Sequence, residues 1–463
     1  MEPELSQGNM LKNLNKIKKS MVVAVASCTL VLTSCSSSPS RSSSSVIAST
    51  TTTVPGISKS IILIGTHQPI TGADAVGQNE IAPATAAFFQ FINQAGGVYG
   101  RKILYRIEDD GSNPIQASQV VRQLVLTDKV FAILDGSGTS DHSAVEAFLN
   151  AEHVPDIFVG SGCSCWNNVS QFPWTSGWQT DFVIEGKILG QYISQYIKLH
   201  PSQDKIGFIY EDNLFGKQEL QGLDQEIPTS EIVSQQVLNA SGTSVQQVQA
   251  AITAMKSSGA QVVALAGDPE LTAQVMDEGY GAAYLPLWVV PYSSSAPSVL
   301  TPLLNTYASQ FIPPAPPLPS DFAQNIESSI VSDTFLPLAT NSSNPWISLF
   351  RKIHDSYIPN LDFNAQVIYG MSLGYSFYEL LLGAGKNPTQ QSLLKALQTQ
   401  NLNGPNLAPY NYSSSSAQGM TGAQITVDQN GVLSTQGPVY VTNDSSGSIN
   451  VYNGPPPTPP SNF

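Results

Sequence analysis

Twice along this chain, short runs rich in Val, Ile and Leu alternate with amphipathic stretches of helical length, and no other feature constrains the fold as much. The first round predicts strands at 61–66, 102–108, 130–134 and 155–159, with helices at 80–93, 114–127 and 141–151 between them. The second predicts strands at 205–210, 232–238, 261–266 and 287–290, and helices at 216–226, 245–257 and 271–279. Strand, helix and next strand close into a right-handed parallel unit. Each round is therefore expected to build one α/β lobe around a mostly parallel, Rossmann-like sheet. Asn113 ahead of Pro114 marks a capped helix start. Joints between lobes are expected at 174–181 and 292–320, the second stiffened by Pro313, Pro314, Pro316 and Pro317. Long helices return at 365–382 and 390–399, and a β-rich segment at 424–452 closes the chain.

The N-terminus reads as an export signal. Lys16, Lys18 and Lys19 precede an apolar stretch, 21–33, shorter than the roughly 20 residues a bilayer crossing needs. Leu32-Thr33-Ser34-Cys35 then resembles the lipobox of bacterial lipoproteins, which implies lipidation of Cys35. Cys28 after Val25-Ala26-Ser27 fits the same pattern, but leaves only a stub of apolar segment, so Cys35 is preferred. An ordinary signal peptide and an uncleaved anchor are the other readings. Glu2 and Glu4 do not suit a basic leader, which makes Met10 an alternative start. Residues 36–60 are too rich in Ser and Thr to bury a core and read as a tether. The Pro-rich 454–463 reads as a disordered tail. The net charge is −14, and it becomes more negative once Lys12, Lys16, Lys18 and Lys19 leave with the leader. Such a field repels phosphate backbones and excludes nucleic acid as a partner. Cys163 and Cys165 remain, one residue apart, where a mutual disulfide is strained and the redox state stays open.

Several ordered motifs carry a family likeness. Ile64-Gly65 is followed by Pro69-Ile70-Thr71-Gly72 and Gly77, then by Asn93-Gln94-Ala95-Gly96-Gly97-Val98-Tyr99-Gly100-Arg101-Lys102 and Asp109-Asp110-Gly111-Ser112-Asn113-Pro114. Gly160-Ser161-Gly162-Cys163-Ser164 follows a later strand, and Tyr210-Glu211-Asp212-Asn213-Leu214-Phe215-Gly216 a strand of the second round. In this order and spacing, over about 61–452, the chain resembles the type I periplasmic binding proteins, in the branch of branched-chain amino-acid-binding proteins of ABC transporters. The resemblance implies a two-lobed clamp crossed several times by the chain. Lobe I would take 61–178, lobe II 179–330, a return to lobe I 331–400, and closing strands of lobe II 401–453, behind a leader at 1–34 and a tether at 35–60. It further implies capture of a small solute, docking on an ABC permease, a lipid-anchored place outside the cytoplasm and a monomer. No catalysis, cofactor or metal is implied.

Candidate ligand contacts follow from the same likeness and from the crevice that open α/β sheets form beyond the carboxyl ends of their strands. Thr139 and Ser140 open a helix, where free N–H groups favour a carboxylate; they match the family's carboxylate grip, and the plainer reading is a helix cap. Gly162, Cys163 and Ser164 match the next ligand loop, with Cys163 where Ala is more usual. Phe215 matches an aromatic that covers the ligand, or is a core ring. Asp268 is positioned to accept from a cationic group, or to cap the helix that Pro269 starts. Tyr292 falls near the acidic residue with which amino-acid-binding relatives hold the ligand ammonium, and this departure argues against an α-amino acid unless another acid supplies the charge. Asp135, Ser137, Thr139, Asp141, Ser143 and Glu146 stand at calcium-loop spacing but lack the Gly at position six. Ser140-Asp141-His142 has no nucleophile elbow, Gly383–Lys386 reads as a helix end, and the five His show no metal spacing. A sensory receptor and a surface esterase or amidase are the rival readings.

Overall fold

β1 (Ile61–Gln68), β2 (Lys102–Asp109), β3 (Ile133–Leu134), β4 (Asp156–Val159) and β5 (Thr175–Gly177) pair in the order β2-β1-β3-β4-β5, all parallel. The computed structural model describes residues 53–463 except 241, 309–321, 328 and 462. The leader with Cys28 and Cys35, the tether up to Thr52 and the prolines of 313–317 lie outside the described residues. The first sheet's connections are α1 (Ala75–Gln78), α2 (Ile81–Gln94), α3 (Pro114–Leu126) and α4 (Thr139–Ala151). α3 starts where its cap dictates, with the Asn113 side chain accepting from the N–H groups of Ile115 and Gln116 at 2.9 and 3.2 Å.

Lobe II repeats the plan. α5 (Phe182–Leu199) leads to β6 (Ile206–Glu211), α6 (Leu214–Glu226), β7 (Ile232–Leu238), α7 (Val245–Ser258), β8 (Val262–Ala266), α8 (Pro269–Gly281) and β9 (Leu287–Val289). α9 (Pro297–Ala308), α10 (Phe322–Glu327) and β10 (Ile330–Thr334) follow. The order β7-β6-β8-β9-β10 is that of the first sheet, and these strands too are parallel. α11 (Pro345–Tyr357), α12 (Ala365–Ala384) and α13 (Gln390–Thr399) then join lobe I, where α12 lies on α2. Gly370 permits that approach, since a Cβ there would stand 2.3 Å from the Ile81 carbonyl oxygen. The hairpin β11 (Tyr410–Ser413) and β12 (Ser416–Met420) precedes β13 (Gly422–Asp428), β14 (Leu433–Val441) and β15 (Asn450–Val451), which extend the second sheet antiparallel from β10.

Five expectations need correction. The described part of the expected second joint, 292–308, stays in lobe II, burying Val299, Leu300 and Leu304 against α8 and its neighbours, and 309–320 lie outside the described residues. The chain returns only after Thr334, through Phe335 and Leu336, which are buried and apolar and so carry no linker signature. Lobe II likewise resumes at Gly422 rather than at 401. The strand expected at 130–134 is regular only at Ile133 and Leu134, although the Phe131 N–H already donates to the Leu63 carbonyl at 2.7 Å, and the helix expected from Asp141 begins at Thr139. The tail 454–463 is seated rather than disordered. The Trp346 indole N–H donates to the Pro457 carbonyl at 2.9 Å, and the Phe463 ring lies among Phe88, Phe91, Tyr375 and Tyr378 with centroids 5.8–6.4 Å away. Composition named the segment polar and Pro-rich, while its terminal ring completes an aromatic core.

Three strands of chain therefore cross between the lobes, the first and third bonded to each other and the second tied to the approach to the third. Met420 N–H donates to the Trp178 carbonyl at 2.9 Å, Thr180 Oγ1 to the Gly422 carbonyl at 2.8 Å, and Leu407 N–H to the Phe335 carbonyl at 2.9 Å. The Trp178 ring packs edge-on to Phe335 and Tyr369 at 6.2 and 4.8 Å. Removing residues 454–463 is expected to uncover Phe88 and Tyr375 and to cost about 2 kcal/mol of stability. Urea unfolding measures this; an unchanged midpoint would show that the tail contributes nothing.

Candidate functional site

In both sheets the strand order reverses between the first and third strands, β1 and β3 in lobe I, β6 and β8 in lobe II. The loops beyond their carboxyl ends diverge there and open a crevice. In lobe I these are 69–80 and 135–138, with the β4 loop 160–164 beside them; in lobe II they are 212–213 and 267–268, with 290–296 beside them.

Under the lobe I loops runs a buried chain of four polar side chains. Asp110 Oδ2 meets His67 Nδ1 at 2.8 Å, His67 Nε2 meets His142 Nδ1 at 2.9 Å, and His142 Nε2 meets Asp156 Oδ2 at 2.8 Å. All four are fully buried. Each link needs one proton, so the four groups share three; two neutral imidazoles beside two carboxylates would leave lone pairs facing each other. Burial pulls the His67 pKa down, opposed by its hydrogen bond to Asp110. The Gly136 backbone lies directly over the pair, and a Cβ there would stand 2.2 Å from His142 Nδ1. The chain thus fixes the loop that presents α4.

At that helix the residues divide. Gly138, at φ 84°, is the N-cap, and neither Thr139 nor Ser140 caps with its side chain. Thr139 Oγ1 bonds Ser161 Oγ at 2.6 Å, tying the β3 and β4 loops, while Ser140 is exposed. Gly162 is pressed against lobe II, for a Cβ there would stand 2.7 Å from the Phe182 ring and 2.9 Å from the Thr180 carbonyl oxygen. Cys163 offers no free thiol to the cleft; it is bonded to Cys165. Ser164 N–H donates to Gln218 Oε1 at 3.0 Å, and Gln218 Nε2 lies 3.6 Å from Cys163 Sγ, so a lobe II side chain grips this lobe I loop.

The lobe II candidates sit opposite. Phe215, 8% exposed, packs on Phe182 at 4.7 Å and joins Val159, Cys163 and Trp166 in a cluster bridging both lobes. Asp268 caps α8, its Oδ1 accepting from Leu271 N–H at 2.7 Å, while its own N–H donates to Glu211 Oε1 at 3.1 Å. Tyr292 is half-buried, its ring 4.3 Å from Phe335 and its N–H donating to Glu185 Oε1 at 2.6 Å.

Acids from both lobes converge at the mouth. Asp74 touches solvent yet stands in a recess that pushes its carboxyl up to about 6, through burial first and then the charges of Asp268 and Glu270 across the gap and of Asp110. Asp141, in the first turn of α4, is pushed up to about 7 by burial, then by Asp110 and Asp74. Glu211 is pushed up to about 8 by burial and by the neighbouring Asp268. None of these was legible as a site residue in the sequence except Asp268. His67 and His142 lie 75 residues apart, and Asp74 and Asp268 further still, so only strand order joins them.

At the hinge end of the cleft, Ser161, Cys163, Trp166, Gln179 and Gln418 line a cavity of about 10 Å³, room for a single water. Nothing larger fits there unless side chains or lobes move apart. A wider recess of about 510 Å³ lies at the amino ends of β9 and β10, beside Leu287 and Ile330, at the other end of the sheet from this crevice. Among the described residues no cluster of three or more His, Cys, Asp or Glu is arranged to hold a metal ion.

The family model described as periplasmic binding protein matches residues 62–431. Leu/Ile/Val-binding protein homolog 1 of Brucella abortus (strain 2308) is 28% identical over 236 residues, which is 48% of this chain and 60% of that protein. The match thus spans less than two thirds of this curated relative. Among solved structures, a substrate-binding periplasmic protein from Ralstonia solanacearum superposes with a TM-score of 0.67 at 18% identity, covering 81% of this chain and 100% of that one. A branched-chain amino acid transporter substrate binding protein from Streptococcus pneumoniae, in complex with isoleucine, gives 0.65 at 17%, covering 82% and 100%. A fatty acid ABC transporter substrate-binding protein from Thermomonospora curvata gives 0.67 at 16%, covering 84% and 95%. At these identities the likeness carries the fold.

His142→Ala strands Asp156 and His67 in the core, and is expected to cost about 3 kcal/mol of stability. Urea unfolding checks this; a loss below about 1 kcal/mol would mean that the four-group chain does not hold the loop.

Proposed function

The chain belongs to the periplasmic binding protein family, and on that premise we propose that it is the substrate-binding lipoprotein of an ABC importer. It captures a small carboxylate-bearing solute, such as an amino acid or amide, by lobe closure and delivers it to a membrane permease without turning it over. Membership supports a place outside the cytoplasm, and lipidation of Cys35 anchors the monomer to the cell membrane through its tether.

The observation that carries this reading is that Asp74 lies within charge range both of Asp141 in α4's first turn and of Asp268 and Glu270 at the α8 start, which sets these two helix starts on either side of one gap. Free N–H groups at a helix start suit a carboxylate. The carboxylates of Asp74, Asp268 and Glu270 around the same gap repel a purely anionic solute, so a zwitterion fits both walls: its carboxylate goes to Thr139 and Ser140, its cationic group to the acids. That arrangement answers the absence of an acid at Tyr292. Gly162, Cys163 and Ser164 line the hinge side, and Phe215 closes over the solute from lobe II. A ligand favours closure only through contacts made with both lobes at once.

Thermal unfolding across aliphatic amino acids, amides and aromatic acids identifies the solute, since a ligand held at 100 times its Kd adds about 2.7 kcal/mol to the folded state. Thr139→Val is expected to weaken binding about tenfold in calorimetric titration, matching the loss of one charge-assisted hydrogen bond. Phe215→Ala weakens it while the fold persists. Unchanged affinity in both variants would move the ligand elsewhere.

A further inference from the structure

Thirteen carboxylic acids are buried among the described residues, against one buried ammonium, Lys187. The ammonium serves none of them: it donates to Thr442 Oγ1 and to the carbonyls of Asn443, Ser445 and Gly447 at 2.6–3.0 Å. Among the described residues, the ion pairs made by Lys or Arg are Arg106 with Glu108 and Asp128, and Lys217 with Asp212, none of them at a buried acid. His67 and His142 take up Asp110 and Asp156. The rest have neutral donors at best.

The extreme case lies behind the lobe II wall of the cleft. Glu185 of α5, Glu219 of α6 and Asp333 of β10 meet there, 4%, 1% and 1% exposed. Tyr292 N–H donates to Glu185 Oε1. Neither oxygen of Glu219 nor of Asp333 makes a hydrogen bond of ordinary geometry to another group. The surrounding elements bring no base: α5 adds Asp181 at its start, the Tyr292 phenol faces from the cleft side, and the Lys187 ammonium is engaged by the 442–447 loop. Glu185 stands within hydrogen-bonding reach of both other acids. Two carboxyl groups bond only when one of them holds a proton, so the two links need two protons on three groups.

We infer that this protein is adapted to an acidic medium: the Glu185–Glu219–Asp333 cluster holds α5, α6, β10 and the Tyr292 wall of the cleft together while it keeps two protons, and lobe II loosens as they are lost. The acidic setting rests on the extracytoplasmic placement proposed above; the stability profile does not. Burial raises all three carboxyl groups, and mutual charge raises Glu219 and Asp333 further. Glu146, Asp181, Asp277 and Glu327 are pushed to about 7, burial being the first cause in each. A carboxyl group whose folded pKa lies above its unfolded value of about 4 contributes stability that is complete below that value and is lost as pH rises through the folded one. The loss falls between about pH 5 and pH 8.

Thermal unfolding of the whole chain from pH 4 to pH 8 tests this. Tm is expected to fall by on the order of 10 °C between pH 5 and pH 8. Glu219→Gln with Asp333→Asn, which offers amide donors that do not titrate, is expected to remove a third or more of that fall. The infrared band of protonated carboxyl groups, expected to persist in the folded wild type at pH 7, reads the same protons without a variant. A Tm that stays level or rises over this range overturns the inference. So does a missing band, or a double variant that keeps the full slope.

Discussion

Three passages of chain lie side by side between two mostly parallel sheets, and the rest of the molecule hangs from that seam. Because 178–181, 335–336 and 420–422 lie side by side, the lobes turn about one short line rather than about three independent linkers. The seam is also packed: Trp178, Phe335, Tyr369 and Tyr292 stack around it, and Gly419 has no Cβ because one would stand 2.1 Å from the Trp178 carbonyl oxygen. A hinge of this kind resists shear while leaving opening soft, which suits a clamp.

Each wall of the crevice is stiffened from behind by polar groups rather than by apolar packing alone. In lobe I the Asp110–His67–His142–Asp156 chain joins the ends of β1 and β2 to α4 and β4. In lobe II the Glu185 carboxyl holds the Tyr292 N–H. Buried polar groups of this sort cost much if left unpaired and fix one arrangement when paired. The walls are therefore braced from within, and they also meet at contacts such as Gln218 with the Cys163–Ser164 loop.

The acids that ring the mouth set the terms of closure. Asp74 and Asp268 approach from opposite lobes, so in the clamp proposed above an empty closure would work against their repulsion and a cation-bearing solute would relieve it. Differential stabilisation of the closed form is what a population shift requires. The same imbalance of acid over base, carried into the core, makes protons part of the folded structure.

The strand and helix periodicities, with motifs such as Asn93–Lys102 and Asp109–Pro114, determined two α/β lobes, their strand sequence and the loops beyond the strand ends, because local hydrophobic pattern and turn chemistry are written in neighbouring residues. Asn113 and Asp268 were legible as caps for the same reason. Where the chain changes lobe was not: Phe335 and Leu336 look like core because they are core, and the crossing falls there. Nor could spacing show that His67 meets His142, that Glu185, Glu219 and Asp333 share one interior, or that Phe463 returns to Phe88. Those pairings are made by the order of strands in the sheets and the packing of helices over them, and contacts across such distances exist only once the chain has folded.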